Sequence, residues 1–194
     1  SRRRGEGLVV SVLALMMFFY VGAEMTIGGW APSFLEKSFG VSKDWAAYGL
    51  SLYWLSMMVG RMVYVAMVER WSYLTPVMVS ALAAAAATVV TSLAGQAWLA
   101  FVGVALTGLS LAGTWATVMA YGAKRFQERT GLALGFLMAS GSLGLVVFPW
   151  AAGAIAERAS HGLRAGLLVA PALLVGLAGL AAWLKARDRG EGRA

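Results

Sequence analysis

The sequence predicts an all-α integral membrane protein with six transmembrane helices. Of its 194 residues 60% are hydrophobic and only 13% are charged, whereas soluble domains carry about 25% charged residues. Residues 71–123 and 130–156 contain no Asp, Glu, Lys or Arg. A membrane span takes about 20 residues, so the first of these runs is long enough for two helices, with a turn predicted at Gly95-Gln96.

Apolar runs between clusters of charged and turn residues divide the single domain, residues 1–194, into six spans. They cover approximately residues 8–30, 45–67, 72–92, 97–121, 131–155 and 163–184. The basic start Ser1-Arg2-Arg3-Arg4 is similar to that of a signal peptide. The apolar run behind it is too long and lacks a cleavage site, so it is predicted to be a true span.

The distribution of Lys and Arg predicts the orientation of the chain, because these residues are in excess in cytoplasmic loops. Twelve of the 16 lie on the side of the two termini, and four, Lys37, Lys43, Arg158 and Arg164, lie on the other side. Both termini are therefore predicted to lie in the cytoplasm, in a multi-pass protein of the cell (inner) membrane. The basic residues lie between spans rather than on one soluble face, so no nucleic-acid partner is expected.

The first span contains the ionisable residue Glu24, which needs a reason to be there because a charge at membrane depth costs about 2.5–3.5 kcal/mol. Tyr20 lies one helical turn earlier, and its hydroxyl is expected to hydrogen-bond the Glu24 carboxyl. Gly28-Gly29 and Pro32 are expected to loosen or break the outer end of this helix, against protein or a water-filled cavity. One hypothesis is that Glu24 takes up a proton or binds substrate. The alternative is a fixed hydrogen-bond anchor.

The second span contains the other intramembrane charge, Arg61, about six residues from the helix end. Its long side chain is expected to extend to the cytoplasmic headgroups and serve a structural role. Gly49, Tyr53, Ser56 and Gly60 share one face of this helix and are expected to pack against a neighbouring helix. The third span has no large polar side chain and offers no site.

The fourth span carries a polar stripe within an arc of about 80° on a single helix. Its members are Thr107, Ser110, Thr114, Thr117 and Tyr121, with Trp115 beside it. Such a stripe serves either interhelical hydrogen bonds or an aqueous pathway for a polar solute. Because it runs over more than two turns toward the cytoplasm, we interpret these residues, with Tyr20 and Glu24, as a substrate or ion pathway.

The fifth and sixth spans are expected to be scaffold. Small residues recur at four-residue spacing, which is typical of close helix contacts: Gly131, Gly135 and Ala139 in the fifth span, and Gly162, Gly166 and Ala170 in the sixth. Pro149 and Pro171 are expected to bend their helices.

An enzyme is not expected. Six spans with Ser110 in the fourth and His161 before the sixth are typical of rhomboid intramembrane proteases, but Ser110 lies about 20 Å from the outer helix end at 1.5 Å per residue. His161 lies in the outer loop, and a catalytic base must come within about 3 Å of its nucleophile. The sequence has no cysteine and no metal-ligand cluster, P-loop or dinucleotide motif, so neither a cofactor nor a metal is expected.

The residues resemble a known family. Tyr20-Val21-Gly22-Ala23-Glu24, Gly28-Gly29-Trp30-Ala31-Pro32, Gly49-Leu50-Ser51-Leu52-Tyr53-Trp54 and Gly60-Arg61 are similar to the seventh and eighth helices of the fucose-permease-like branch, sugar:proton symporters of the major facilitator superfamily. The whole chain resembles the C-terminal six-helix half of such a transporter, a three-plus-three inverted repeat. The loop at 68–73 keeps only the acid-arginine pair Glu69-Arg70 of the family's loop signature, which is assigned a structural role.

The resemblance implies half of a secondary carrier for a small polar solute, with a sugar as one candidate and proton coupling expected. Its first and fourth helices would line the central cavity. The implied partners are the lipid bilayer, the small-molecule substrate, and an N-terminal six-helix half in the same or a separate chain, or a parallel homodimer. We expect a truncated or split transporter. The alternative function is a non-transporting membrane scaffold that uses its polar helix faces to bind partners.

Overall fold

A computed structural model describes residues 2–190 and 192, with only the backbone described for residues 2–5 and 66–70. This part of the chain is all-helical and contains no strand. Its helices are α1 Arg2–Phe39, α2 Lys43–Arg70, α3 Leu74–Leu93, α4 Ala97–Leu111, α5 Thr114–Arg125, α6 Thr130–Arg158, α7 Leu163–Leu167 and α8 Val169–Gly190. The side chains of the predicted structural pair Glu69 and Arg70 lie outside the described residues.

Within the described residues, five helical stretches are long and apolar enough to cross a membrane. They cover residues 6–39, 74–93, 97–125, 127–158 and 163–190. Helix α2 has 28 residues, about 42 Å at 1.5 Å per residue, but Lys43, Asp44 and Arg61 make it less apolar. The chain is thus an all-helical, multi-pass membrane protein, and α2 as its sixth span remains a prediction.

Helix α1 continues through Pro32 to Phe39, so the prediction of a broken outer end of the first helix is wrong. A proline ring crowds the carbonyl four residues earlier, which here belongs to Gly28, and membrane helices accommodate the lost hydrogen bond. Gly28 serves a close contact instead, because a Cβ there would lie 3.2 Å from the Tyr53 ring of α2. The α1–α2 contact thus depends on a missing side chain.

The fourth predicted helix is interrupted, contrary to the expectation of a single helix. Ala112 and Gly113 form a turn between α4 and α5, at a glycine, a residue that weakens helices by about 1 kcal/mol. Close approach of α2 also requires small residues here, since a Cβ on Gly113 would clash with the Tyr64 ring. The sixth predicted helix is likewise divided, at Leu168 between α7 and α8.

Helix α1 lies at the centre of the bundle and packs against α6 and α8, while α2 packs against α4 and α3 packs between α4 and α8. At the end of the bundle away from the chain termini, the Arg164 guanidinium donates hydrogen bonds to the carbonyls of Ser92 (2.9 Å) and Ala94 (2.8 Å). It also lies over the rings of Phe34 and Phe39. This arginine therefore joins the neighbouring ends of α1, α3 and α7.

The small residues of α2 pack as predicted, and those of α6 do not. Gly49 and Gly60 are buried, and a Cβ on Gly60 would meet the backbone of α4. On α6, by contrast, Gly131 and Gly135 have no neighbour within 4 Å, so the predicted contact through this face is wrong within the described chain. Helix α6 instead approaches α1 closely at Gly144, which lies three residues after the buried Gly141.

Candidate functional site

A cavity of about 760 Å³ lies between α1, α2 and α5. It reaches from the middle of α1 to the end of the bundle that the charge distribution assigns to the cytoplasm. Its polar and aromatic lining residues are Tyr20, Glu24, Arg61, Tyr64, Tyr73, Trp115 and Thr117. The volume lies in the range typical of small-molecule sites.

The carboxyl group of Glu24 is the most deeply placed charge in this cavity, with 9% of the residue exposed. The Tyr20 hydroxyl donates a hydrogen bond to Glu24 Oε1 at 2.8 Å, as predicted from the one-turn spacing. The same hydroxyl lies 3.4 Å from the carbonyl oxygen of Leu111. On the other side, the Tyr53 hydroxyl donates to the backbone carbonyl of Glu24 at 3.3 Å. Contacts with α2 and α4 therefore fix both Glu24 and its hydrogen-bonding partner.

Arg61 lines the same cavity, although the sequence favoured the headgroup region for its side chain. Its positive charge acts electrostatically on both Glu24 and Tyr20. Arg61 is an exposed residue. An acid and an arginine thus face one space, which offers both a proton acceptor and a multiple hydrogen-bond donor.

The polar stripe predicted on the fourth span is divided among four places, of which that of Tyr121 is described further below. Trp115 and Thr117 lie on the cavity wall. Thr107 is buried against α3, with its hydroxyl 3.3 Å from that of Thr88. Ser110 donates to the carbonyl of Leu106 at 2.7 Å and lines an apolar groove between α3 and α4. The structure therefore does not bring the whole stripe into one pathway.

A cluster of buried hydroxyl groups adjoins the cavity and was only partly expected. Thr114 is fully buried beside Tyr64 of α2, and Thr117 and Ser80 complete the group. The hydroxyl groups of Tyr64 and Thr114 are shielded from solvent, and Tyr64 interacts with the hydroxyls of Thr117, Ser80 and Thr114. Tyr64 lies one helical turn after Gly60. Continuing the predicted packing face of α2 by one more turn would therefore have identified it.

The interruption of the fourth span places backbone as well as side chains at the site. Ala112 and Gly113 both line the cavity, and the Leu111 carbonyl faces the Tyr20 hydroxyl. Interrupted helices at membrane depth are tolerated where they line a protein cavity, and transporter sites commonly use them. A polar stripe on an unbroken helix contains side chains only, so the prediction did not include these backbone groups.

Tyr121, the last member of the predicted stripe, belongs to a separate cluster at the end of the bundle that the charge distribution assigns to the cytoplasm. Its hydroxyl donates to Asp188 Oδ2 at 2.6 Å, and Arg125 Nη1 lies 3.5 Å from Asp188 Oδ1. Asp188 is 6% exposed, and it joins the ends of α5 and α8. The sequence reasoning missed it because residue 188 lies beyond the predicted end of the last span.

Replacement of Asp188 by Ala is expected to lower the free energy of unfolding by about 1.5–3 kcal/mol, the usual range for hydrogen bonds to a charged group. The thermal unfolding midpoint of the detergent-solubilised chain would measure this loss. Glu128→Ala removes an exposed acid at the same end and should leave the midpoint unchanged. Equal midpoints for the two variants would show that the Asp188 contacts contribute little.

Comparison with known proteins gives one result at the level of the family. The sequence matches the model of the Major Facilitator Superfamily over residues 13–194, which includes every residue of the cavity and of the Asp188 cluster. No curated protein shows significant similarity to the chain.

Proposed function

The chain belongs to the major facilitator superfamily, whose members are transporters rather than enzymes, and on that premise we propose that it is half of a proton-coupled carrier for a small polar solute. The observation that carries the proposal is the Glu24 carboxyl, buried at mid-helix on the wall of the 760 Å³ cavity and hydrogen-bonded to Tyr20. We place the protein in the cell (inner) membrane with both termini in the cytoplasm.

Proton uptake by Glu24 has a direct effect on its hydrogen bonds. An ionised carboxylate only accepts, so it is the state served by the Tyr20 hydroxyl at 2.8 Å. A protonated carboxyl can itself donate to a solute, and the Tyr20 hydroxyl can then turn to the Leu111 carbonyl 3.4 Å away. Neutralising the group also removes the cost of a charge at membrane depth, which favours movement of the loaded carrier between its two states.

The solute that suits the cavity is small and rich in hydroxyl groups. Arg61 offers donors only, Glu24 offers acceptors or one donor, and the hydroxyl of Thr117 offers both. Trp115 adds an aromatic face. A sugar satisfies all of these groups, and the resemblance to the fucose-permease-like branch supports the same solute class.

The second half of the carrier is proposed to cover the exposed faces of α2 and α6. In the apolar stretch that contains α6, only 22% of an 18-residue apolar segment is buried. The corresponding share is 50–56% in the other apolar stretches of the described chain. Large apolar residues exposed on α2 include Leu55, Met58 and Met62. A six-helix half in the same or a separate chain, or a second copy arranged in parallel, would bury these faces and complete the cavity. A substrate site in this fold lies between two halves.

A membrane scaffold remains the second candidate, and specific contacts favour it. Thr107 and Thr88 form a hydrogen bond between α3 and α4, and Tyr121 contacts Asp188 rather than the cavity. Polar groups of the fourth span therefore do serve helix assembly. The scaffold predicts binding of a membrane partner with no solute flux.

Reconstitution into liposomes, with and without a six-helix N-terminal half of the same family, separates the two functions. With both halves and a pH gradient of one unit, acidic outside, we expect radiolabelled fucose or another hexose to accumulate up to about tenfold inside, because one pH unit corresponds to about 1.4 kcal/mol per proton. The chain without its partner half should give no flux. Binding of the partner half without flux of any solute tested would favour the scaffold.

A further inference from the structure

A second cavity, of about 630 Å³, lies at the cytoplasmic ends of α3, α5 and α8. Four basic residues, Lys124, Arg125, Lys185 and Arg189, line it together with a single acid, Asp188. The cavity is separate from Glu24, and the ring of Tyr73 contributes to the walls of both spaces. Its excess of positive charge has no part in the transport mechanism above.

Two of these cations, Lys124 and Lys185, contact neutral groups. These contacts therefore do not neutralise their positive charge. Lys185 Nζ donates to the Thr75 hydroxyl at 2.6 Å, and Lys124 Nζ lies 5.5 Å from the centre of the Tyr73 ring. Asp188, in contrast, is buried and already engaged by Arg125. The cavity therefore presents a net positive surface to a ligand.

The beginning of α3 adds to this positive potential. Its N-cap residue Tyr73 makes no side-chain capping bond, and its first turn contains no acid. The N–H groups of a helix N-terminus carry partial positive charge and favour anions. Leu74 and Thr75, the first residues of this helix, line the cavity.

The position of the cavity favours a lipid over a soluble anion. Trp71 and Tyr73 line it, and these residue types are enriched at the level of the headgroups. Thr75, Val79 and Leu82 follow i, i+4, i+7 spacing and share one face of α3. Val79 and Leu82 are exposed, so an apolar track begins directly beside the cavity.

We propose that this cavity binds the phosphate headgroup of an anionic phospholipid from the cytoplasmic leaflet, with the acyl chains lying along Val79 and Leu82. Basic pockets between helices on this side of a membrane suit such headgroups. Lys124 and Lys185 contact the phosphate oxygens. The bound lipid then holds the ends of α3, α5 and α8 together.

Native mass spectrometry of the full chain in detergent, titrated with phosphatidylglycerol or phosphatidylcholine, tests the proposal. We expect phosphatidylglycerol to bind with the lower Kd. The double variant Lys124→Gln/Lys185→Gln should raise that Kd about 30-fold, from about fivefold for each charge near the surface. The variant Lys124→Arg/Lys185→Arg keeps both charges and should retain binding, and far-ultraviolet circular dichroism verifies that each variant is folded.

The matched control is Arg129→Gln/Arg187→Gln, which removes two charges at the same end but outside the cavity lining. An equal rise in Kd for this control would mean general surface attraction and would overturn the proposal. Competition by millimolar inorganic phosphate would overturn it as well, because the site would then hold a soluble anion. Equal Kd values for phosphatidylglycerol and phosphatidylcholine would overturn the proposal too, because the site would then not recognise the negative charge of the headgroup.

Discussion

Replacement of Glu24 by Gln is expected to abolish accumulation driven by a pH gradient while leaving solute exchange intact. Gln keeps the size of the side chain and can still accept a hydrogen bond from Tyr20, whose hydroxyl lies 2.8 Å from Oε1 in the native protein. It cannot gain or lose a proton. In liposomes containing both halves of the carrier, the accumulation ratio at a one-unit pH gradient should therefore fall from up to about tenfold to about one.

Tyr20→Phe is the matched variant for this experiment, because it removes the hydrogen bond to Glu24 and leaves the carboxyl in place. We expect coupling to persist, with half-saturation changed by about two- to tenfold, the equivalent of one net hydrogen bond. Exchange of labelled against unlabelled solute, with no pH gradient, verifies that the Gln variant still binds. Continued tenfold accumulation in Glu24→Gln would show that another group carries the proton, and Glu24 would then be a fixed anchor.

The second large effect is expected from Gly144→Ala, which should lower stability by about 1–3 kcal/mol, the usual cost of an extra group in a packed interior. A Cβ at this position would clash with the carbonyl oxygen of Phe18 in α1. Since the obstacle is backbone, α1 and α6 must separate to accept it. The thermal unfolding midpoint should fall by about 2–4 °C for each kcal/mol lost.

Gly135→Ala on the same helix provides the control, because its Cβ would have no neighbour within 4 Å. That substitution should leave the midpoint unchanged or raise it slightly, since Ala favours helix more than Gly does. If both variants lost the same stability, the loss could not be assigned to the contact between Gly144 and α1.

Hydropathy and local spacing predicted the parts of the fold that depend on short stretches of sequence. The Tyr20–Glu24 bond follows from one-turn geometry, and the packing face of α2 follows from the spacing of Gly49, Tyr53 and Gly60. The proline in α1 and the turn at residues 112–113 were mispredicted, because whether a helix continues depends on the helices that surround it. No pattern within one span contains that information.

The same limit explains how the site was only partly predicted. Glu24 and Thr117 stand out as polar groups within apolar runs, so the sequence marks them. Arg61 was assigned to the headgroups from its distance to the helix end, whereas the approach of α2 to α5 brings it to the cavity. Asp188 becomes significant only because the ends of α5 and α8 meet, which depends on the packing of two spans distant in sequence.

The turn at Ala112–Gly113 divides the fourth span into two segments that are held by different helices. α4 is fixed to α2, since Gly108 lies against the Tyr53 carbonyl and Gly60 against that of Leu109. α5 is held elsewhere, because the Tyr121 hydroxyl donates to Asp188 of α8 and Arg125 pairs with the same carboxylate. The turn therefore separates a segment packed on α2 from a segment tied to α8, and Trp115 and Thr117 of the cavity wall belong to the second segment.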